Sequence, residues 1–135
     1  NTNGILDENS KINPDSIYGV SKFSGEMFIK QTLHNCRTKY TIFRVFNTYG
    51  PGENLNFQKK GMVSIYIGFL WKNQSICVKG SLDRYRDLIF IDDNVDALIS
   101  CHEKPISFGE VYNLSSGKKS SAYYWLVISG ATANG

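Results

Sequence analysis

The sequence predicts an α/β fold. Segments with the apolar spacing of helices alternate with short segments rich in β-branched and aromatic residues, and turn-forming sequences separate them. With 135 residues, 41% of them hydrophobic and 20% charged, the chain is long and apolar enough for a single packed domain. It contains no apolar run of about eighteen residues, and residues 1–10 do not resemble a signal peptide. We therefore expect a cytoplasmic protein that does not bind a membrane.

The first half of the chain is expected to hold one helix and one strand. Residues 1–15 form a polar loop, Ser16 suits the N-cap position, and apolar residues then recur at helical intervals up to Leu33. Residues 40–46 are β-branched and aromatic with little alternation, as expected for a strand covered on both faces in a parallel sheet. Residues 47–52 contain glycine and proline and are predicted to end this strand.

A second helix is predicted after residue 60, because apolar residues there follow the spacing of one helix face. These residues are Met62, Ile65, Tyr66, Phe69 and Leu70. Residues 75–79 and 86–91 are then expected to be short strands, and residues 80–83 have the composition of a tight turn.

A third helix is predicted next, with Asp92 or Asp93 as its cap and Pro105 marking its end. Residues 110–114 follow as another strand, and residues 115–117 form a turn. No internal repeat or linker separates these elements, so we predict one domain over residues 1–135.

The charge and the cysteines restrict the classes of ligand. The formal net charge is +3, which is too small to indicate nucleic-acid binding without a clustered basic face. Cys36, Cys77 and Cys101 are an odd number of widely spaced cysteines, and neither His34 nor His102 completes a zinc site with them. We expect free thiols, no metal site and no nucleic-acid partner.

The first helix carries a possible acid/base pair. Tyr18 and Lys22 are four residues apart, so their side chains lie on the same face of the helix. An ammonium group beside a phenol stabilises the phenolate, which makes a tyrosine a usable base near neutral pH. Taken alone this pair is a weak signal, because tyrosine and lysine often meet by chance on exposed helix faces.

The surrounding motifs make the signal specific, because they follow the order found in one enzyme family. They are PDSIYGVSK at residues 14–22 with Glu26 after it, RVFNTYGPG at 44–52, KGSLDRYRD at 79–87 leading into FIDD at 90–93, and VYNLSSG at 111–117. With them the chain resembles the extended short-chain dehydrogenase/reductase family, whose best-known members are the nucleotide-sugar epimerases and dehydratases.

The resemblance implies NAD as cofactor and a role for each matching residue. Tyr18 would be the catalytic acid/base on a sugar hydroxyl, and Lys22 would bind the nicotinamide ribose and assist Tyr18. Asn47 and Arg86 would bind the substrate, since a guanidinium and an amide both suit diphosphate oxygens. Arg84 would assist or simply face solvent. The alternative for Arg86 is a structural ion pair with Asp87 or a neighbouring acid.

The resemblance also implies a partial Rossmann-like fold, namely the carboxy-terminal part of the family fold with its substrate-binding elements. The Gly-x-Gly-x-x-Gly fingerprint is missing, because Gly50 and Gly52 are followed by Leu55 where a third glycine is required. We therefore expect a fragment without the dinucleotide-binding half, which binds NAD weakly by itself. Residues 16–121 are the family-like region, and residues 122–135 are a divergent tail.

Loss of that half would leave an unpaired sheet edge beside residues 40–46. We expect the chain to cover this edge by forming a homo-oligomer, with the uncharged, β-prone residues 122–128 as a candidate segment.

The expected parent reaction is 4-epimerisation of a UDP-sugar, while the isolated chain is expected to be inactive. Dehydratase, reductase and decarboxylase activities stay open. The alternative is a non-catalytic remnant that acts as a sugar-nucleotide-binding or oligomerisation module. An unrelated small α/β binding domain would require all the ordered motif matches to be accidental.

Overall fold

The computed structural model describes residues 6–53, 55, 61–76, 78, 81–121 and 123–124. Helices and strands alternate along this part of the chain, which confirms the predicted α/β class. In chain order the elements are α1 (Ile17–Leu33), β1 (Ile42–Val45), β2 (Asn47–Tyr49), α2 (Met62–Trp71), β3 (Tyr85–Phe90), α3 (Ile91–His102), a short 3-10 helix (Pro105–Ser107), β4 (Val111–Leu114) and β5 (Lys119–Ser121).

The chain divides into two compact units. The first comprises Asn1–Arg44 and Leu98–Asn113, and the second comprises Val45–Ala97 and Leu114–Gly135. The division falls within β1, α3 and β4, so these elements contribute residues to both units. The expected single domain stays a prediction.

Helix α1 begins where the sequence predicts. Ser16 has an extended backbone, with φ −136° and ψ 152°, and its Oγ accepts a hydrogen bond from the Gly19 N–H at 3.1 Å. This N-cap satisfies one of the free N–H groups of the first turn and typically stabilises a helix by about 1 kcal/mol. Lys30 lies in the last turn of α1, where its positive charge interacts favourably with the negative end of the helix dipole.

Strands β1 and β4 form a two-stranded sheet. The Ile42 N–H donates to the Glu110 carbonyl and the Phe46 N–H donates to the Leu114 carbonyl, both at 3.0 Å. Residue numbers increase in the same direction along both strands, from the pair Ile42 and Glu110 to the pair Phe46 and Leu114, so the two strands are parallel. The strand predicted over residues 40–46 is therefore confirmed, although it is shorter than expected.

The second unit holds a three-stranded sheet in the order β2, β3, β5. Strand β2 pairs in parallel with β3, with Asn47 opposite Leu88, and β3 pairs antiparallel with β5, with Arg86 opposite Ser120. The prediction that residues 47–52 only end a strand was wrong for its first part, because residues 47–49 continue as β2. Strand β5 is a short polar strand that forms by pairing with β3, and it was not predicted.

The apolar core of the second unit gathers around α2. Tyr66 and Ile76 are its buried centre, and residues packed against them include Phe69 and Leu82. The predicted apolar face of α2 is thereby confirmed. In the predicted strand at residues 75–79, Ile76 forms an isolated bridge, while residues 77 and 79 lie outside the described part.

Helix α3 differs in one respect from its predicted form. Asp92 and Asp93 lie in the first turn rather than at a cap, because the helix already begins at Ile91, directly after β3. Their carboxylates still face the positive end of the helix dipole. The helix ends at His102, and Pro105 starts the 3-10 helix that follows.

In the part of the chain that the structure describes, no helix is long and apolar enough to cross a membrane, and no three metal-ligating side chains come together. Cys36 and Cys101 are free thiols, whereas Cys77 lies outside the described residues. Most of the divergent tail predicted at residues 122–135 also lies outside them.

Candidate functional site

Tyr18 and Lys22 are adjacent on the exposed face of α1. Tyr18 lies in the first turn of the helix, and 71% of its surface is exposed. The Lys22 Nζ atom lies 5.3 Å from the centroid of the Tyr18 ring, within the range of a cation–π contact. The structure therefore brings together the phenol and the ammonium that the sequence pairs, and leaves the phenol accessible to a ligand.

The same helix is anchored by a buried carboxylate two turns beyond Tyr18. Glu26 is 8% exposed, and Arg44 of β1 holds it with two hydrogen bonds, Nη2 to Oε1 at 2.7 Å and Nε to Oε2 at 3.0 Å. Lys30 adds an ion pair to Oε1 at 2.7 Å. The hydrogen bonds from Arg44 and Lys30 outweigh the effect of burial and lower the pKa of Glu26 from 4.5 to about 2.

Arg44 also reaches the loop that precedes α1. Its Nη1 donates to the Glu8 carbonyl at 3.0 Å, and the Glu8 Oε1 accepts a hydrogen bond from the Asn113 N–H at 2.7 Å. These contacts connect the loop, α1, β1 and β4 within the first unit. Glu26 and Arg44 were predicted only as motif positions and not as partners, because no local pattern indicates which distant arginine meets which glutamate.

Asn47 and Arg86 lie on adjoining strands of the second unit. The Asn47 Nδ2 donates to the backbone carbonyl of Asp87 at 3.2 Å. Arg86 is exposed, and its Nη1 donates to the carbonyl of Tyr85 at 2.9 Å. Arg84 is also exposed and lies just before β3, where its N–H donates to Ser81 at 3.3 Å. Beyond one carbonyl contact, the Arg86 guanidinium has donors available for an anion.

The ion pair considered between Arg86 and Asp87 is not found. Among the described residues the ion pairs are Lys30–Glu26 and Arg44–Glu26. The carboxylate of Asp87 instead accepts hydrogen bonds from the turn between β4 and β5. It receives the Ser116 N–H and hydroxyl on Oδ1, both at 2.8 Å, and the Gly117 N–H on Oδ2 at 2.9 Å. These hydrogen bonds of Asp87 were not predicted from the sequence.

The candidate residues thus form two groups, and each lies within one unit. Tyr18 and Lys22 belong to the first unit, and Asn47, Arg84 and Arg86 belong to the second. The contacts above describe each group, while the catalytic and binding roles of these residues stay predictions.

Comparison with known proteins gives one family match. The model of the NAD dependent epimerase/dehydratase family matches residues 2–115. A protein of Methanocaldococcus jannaschii named "Putative UDP-glucose 4-epimerase" is 35% identical over 117 residues, which cover 86% of this chain and 37% of that protein.

Solved structures show the same likeness. A UDP-glucose 4-epimerase of Thermotoga maritima with UDP-glucose has a TM-score of 0.80 and 27% identity, and the match covers 90% of this chain and 40% of that one. A UDP-glucuronic acid 4-epimerase of Bacillus cereus, in complex with UDP-glucuronic acid and NAD, has a TM-score of 0.83 and 25% identity, over 98% of this chain and 43% of that one. These likenesses confirm the partial Rossmann-like fold, and the chain spans less than half the length of each of these proteins.

Proposed function

The chain belongs to the NAD dependent epimerase/dehydratase family, and we propose that it supplies the acid/base pair and the substrate-binding arginine of a nucleotide-sugar 4-epimerase. The proposed substrate is a UDP-sugar, and the proposed cofactor is NAD. Because the chain spans 37% of its relative from M. jannaschii, this activity is proposed for the whole enzyme and not for the chain alone.

The observation that carries the proposal is the pair formed by Tyr18 and Lys22. A sugar hydroxyl that approaches the exposed phenol can give up its proton to the phenolate, provided that the negative charge on the tyrosine is stabilised. The Lys22 ammonium, whose Nζ lies 5.3 Å from the centroid of the Tyr18 ring, is proposed to supply that stabilisation in the whole enzyme. In the reverse direction the neutral phenol returns the proton, so one residue serves as base and then as acid.

The residues of α1 also fit the proposed cofactor. Lys22 is exposed and forms no ion pair among the residues that the structure describes, so its remaining donors can bind the hydroxyls of a ribose. When bound, NAD would accept a hydride from the sugar carbon and return it to the other face. Tyr18 would handle only the proton at the neighbouring oxygen, which keeps the charges balanced at each stage.

Arg86 is proposed to bind the diphosphate of the substrate, with Asn47 and Arg84 beside it. A guanidinium binds phosphate oxygens through two parallel N–H donors, which a single ammonium cannot do. The absence of a described acid partner for Arg86 supports this role, because the positive charge is then not neutralised within the described chain.

Titration calorimetry of the chain with UDP-glucose tests the substrate-binding part. We expect measurable binding by the unaltered chain and a dissociation constant at least tenfold higher for Arg86→Ala, since a charged hydrogen bond to phosphate contributes about 1.5–3 kcal/mol. Arg37→Ala is the matched control, because Arg37 is exposed and forms no ion pair among the described residues.

The outcomes separate the alternatives. Equal weakening by the Arg37 and Arg86 variants would show a general charge effect and contradict the assignment of Arg86. No binding of UDP-glucose and none of NAD would favour a remnant without ligand-binding function.

A further inference from the structure

Asp87 is a hydrogen-bonding centre beside the proposed diphosphate-binding arginine. It directly follows Arg86 on β3, and the residue as a whole is half-buried. Three donors of the turn between β4 and β5 meet its two oxygens at 2.8 to 2.9 Å. Hydrogen bonds to an ionised carboxylate are stronger than neutral ones, so this contact fixes the turn firmly against β3.

The turn itself is shaped to meet Asp87. Gly117 has a φ of +72°, a left-handed conformation that glycine adopts without steric cost. The N–H groups of Ser116 and Gly117 both donate to the carboxylate of Asp87. The strand that follows, β5, pairs with β3 and places Ser120 opposite Arg86. The position of the turn therefore determines the chain beside Arg86.

The backbone of Asp87 also holds Asn47, which lies opposite Leu88 on the adjoining strand β2. The Asp87 carbonyl accepts the hydrogen bond from Asn47 Nδ2 at 3.2 Å, which holds the Asn47 amide at β3. One residue thus connects β2, β3 and the turn after β4. Its carboxylate is occupied by N–H and O–H donors, so it does not form an ion pair with Arg86 within the described residues.

We propose that Asp87 is the positioning residue of the diphosphate subsite: its carboxylate holds the turn at Ser116 and Gly117, and with it the strand beside Arg86, while its backbone carbonyl holds Asn47. The inference rests on the proposed function, because it assumes that Arg86 and Asn47 bind the diphosphate of a UDP-sugar. Asp87 itself does not touch the ligand. A carboxylate so close to an anion would be unfavourable unless its own charge were satisfied, and the turn provides that compensation.

Asp87→Asn separates the effect of positioning from the effect of charge, because the two predict opposite changes in the affinity for UDP-glucose. The amide keeps one acceptor but places an NH2 group against a backbone N–H of the turn, so the turn loses its anchor. Removing a negative charge beside an anion site should by itself tighten binding. Positioning predicts instead that the dissociation constant for UDP-glucose, measured by titration calorimetry, rises at least tenfold.

Asp83→Asn is the matched control. Asp83 is an exposed acid of the same unit, four residues from Asp87, and its carboxylate makes no hydrogen bond or ion pair recorded in the described residues. We expect this variant to bind UDP-glucose as tightly as the unaltered chain or more tightly. Ser116→Ala removes one of the three donors and should weaken binding about threefold, which tests the same contact should Asp87→Asn fail to fold.

The stoichiometry and the affinity distinguish positioning from a loss of folded protein. A merely structural role would lower the number of sites per chain and leave the dissociation constant of the folded chains unchanged, which would overturn the inference. Binding by Asp87→Asn as tight as that of the unaltered chain would overturn it too, while the proposed function would stand. If the unaltered chain bound no UDP-glucose, both the inference and the substrate-binding proposal would fall.

Discussion

Glu26 shows how a single buried side chain connects the proposed acid/base pair to the rest of its unit. It lies four residues after Lys22 and eight after Tyr18, so the three side chains follow one stripe of α1. Arg44 fixes Glu26 from β1 by two hydrogen bonds. Any rotation or shift of α1 would therefore break this ion pair as well as move Tyr18.

The ionisation of Glu26 makes the stability of the chain dependent on pH. Its pKa in the folded chain is lowered to about 2, so its contribution is fully present above pH 4.5 and is lost as the pH falls from 4.5 towards 2. The shift corresponds to about 3 kcal/mol of unfolding free energy. Urea denaturation should show a loss of about 2 kcal/mol between pH 7 and pH 3, because pH 3 lies between the pKa values of the unfolded and the folded chain.

Two variants make the measurement specific. Glu26→Gln should lower the stability at pH 7 and reduce its change between pH 7 and pH 3. Glu103→Gln is the control, because Glu103 is exposed and forms no ion pair in the described part of the chain. An equal pH dependence of the Glu26 variant and the unaltered chain would show that another group causes it.

Between helices and strands, replacement of glycine by alanine is expected to change the stability in opposite directions at Gly50 and at Gly25. Gly50 ends β2, and a Cβ atom placed there would lie 2.9 Å from the Cβ atom of Ile91, the first residue of α3. Gly25 lies inside α1, and a Cβ atom there would meet nothing within 4 Å. The first position requires glycine for close approach, and the second does not.

Chemical denaturation of the two variants checks this difference. Gly50→Ala should destabilise the chain by about 1–3 kcal/mol, because strand and helix must move apart. Gly25→Ala should stabilise it by about 0.5–1 kcal/mol, because glycine is unfavourable inside a helix. Two changes of the same sign would contradict the packing described between the end of β2 and the start of α3.

The elements that could be predicted are those with strong local signals. Helices α1 and α2 have regular apolar spacing, and Ser16 marks the start of α1 through its own side chain. Strands β2 and β5 have only three residues each and form through pairing with β3, which is distant in sequence. Their local composition indicates turns, so no pattern within them could reveal the pairing.

In the candidate site, too, contacts between residues close in sequence could be predicted, and contacts between distant residues could not. Tyr18 and Lys22 are neighbours within one helix, so the sequence alone predicts that they meet. The anchor between Asp87 and Ser116 joins residues 29 positions apart, and the ion pair between Glu26 and Arg44 joins residues 18 apart. Which partners meet across such distances depends on the fold and not on local spacing.

At the scale of the whole molecule, the open edge of β1 predicts self-association. Within the described residues β1 pairs only with β4, and Val45 of β1 is 53% exposed. Light scattering at micromolar concentration should give a mass above the 15.2 kDa of one chain. Val45→Lys should shift the mass towards that of a monomer, because a charged residue on an edge strand opposes pairing.

Ile67→Lys is the control for this prediction. Ile67 is also partly exposed, at 45%, but it lies on α2 and on no strand edge. A monomer of the unaltered chain would contradict self-association. Equal effects of the two lysine substitutions would show that the association is apolar and unrelated to β1.

The central claim is that Tyr18 moves the proton of a sugar hydroxyl, and turnover by a chimaeric enzyme tests it most directly. Residues 6–121 would replace the matching segment of the T. maritima UDP-glucose 4-epimerase, and the interconversion of UDP-glucose and UDP-galactose would be measured with NAD present. Tyr18→Phe should lower kcat by about 10²–10⁴, the usual contribution of a general acid/base. Tyr40→Phe should leave kcat unchanged. A folded chimaera without turnover, or one whose turnover survives Tyr18→Phe, would contradict the account.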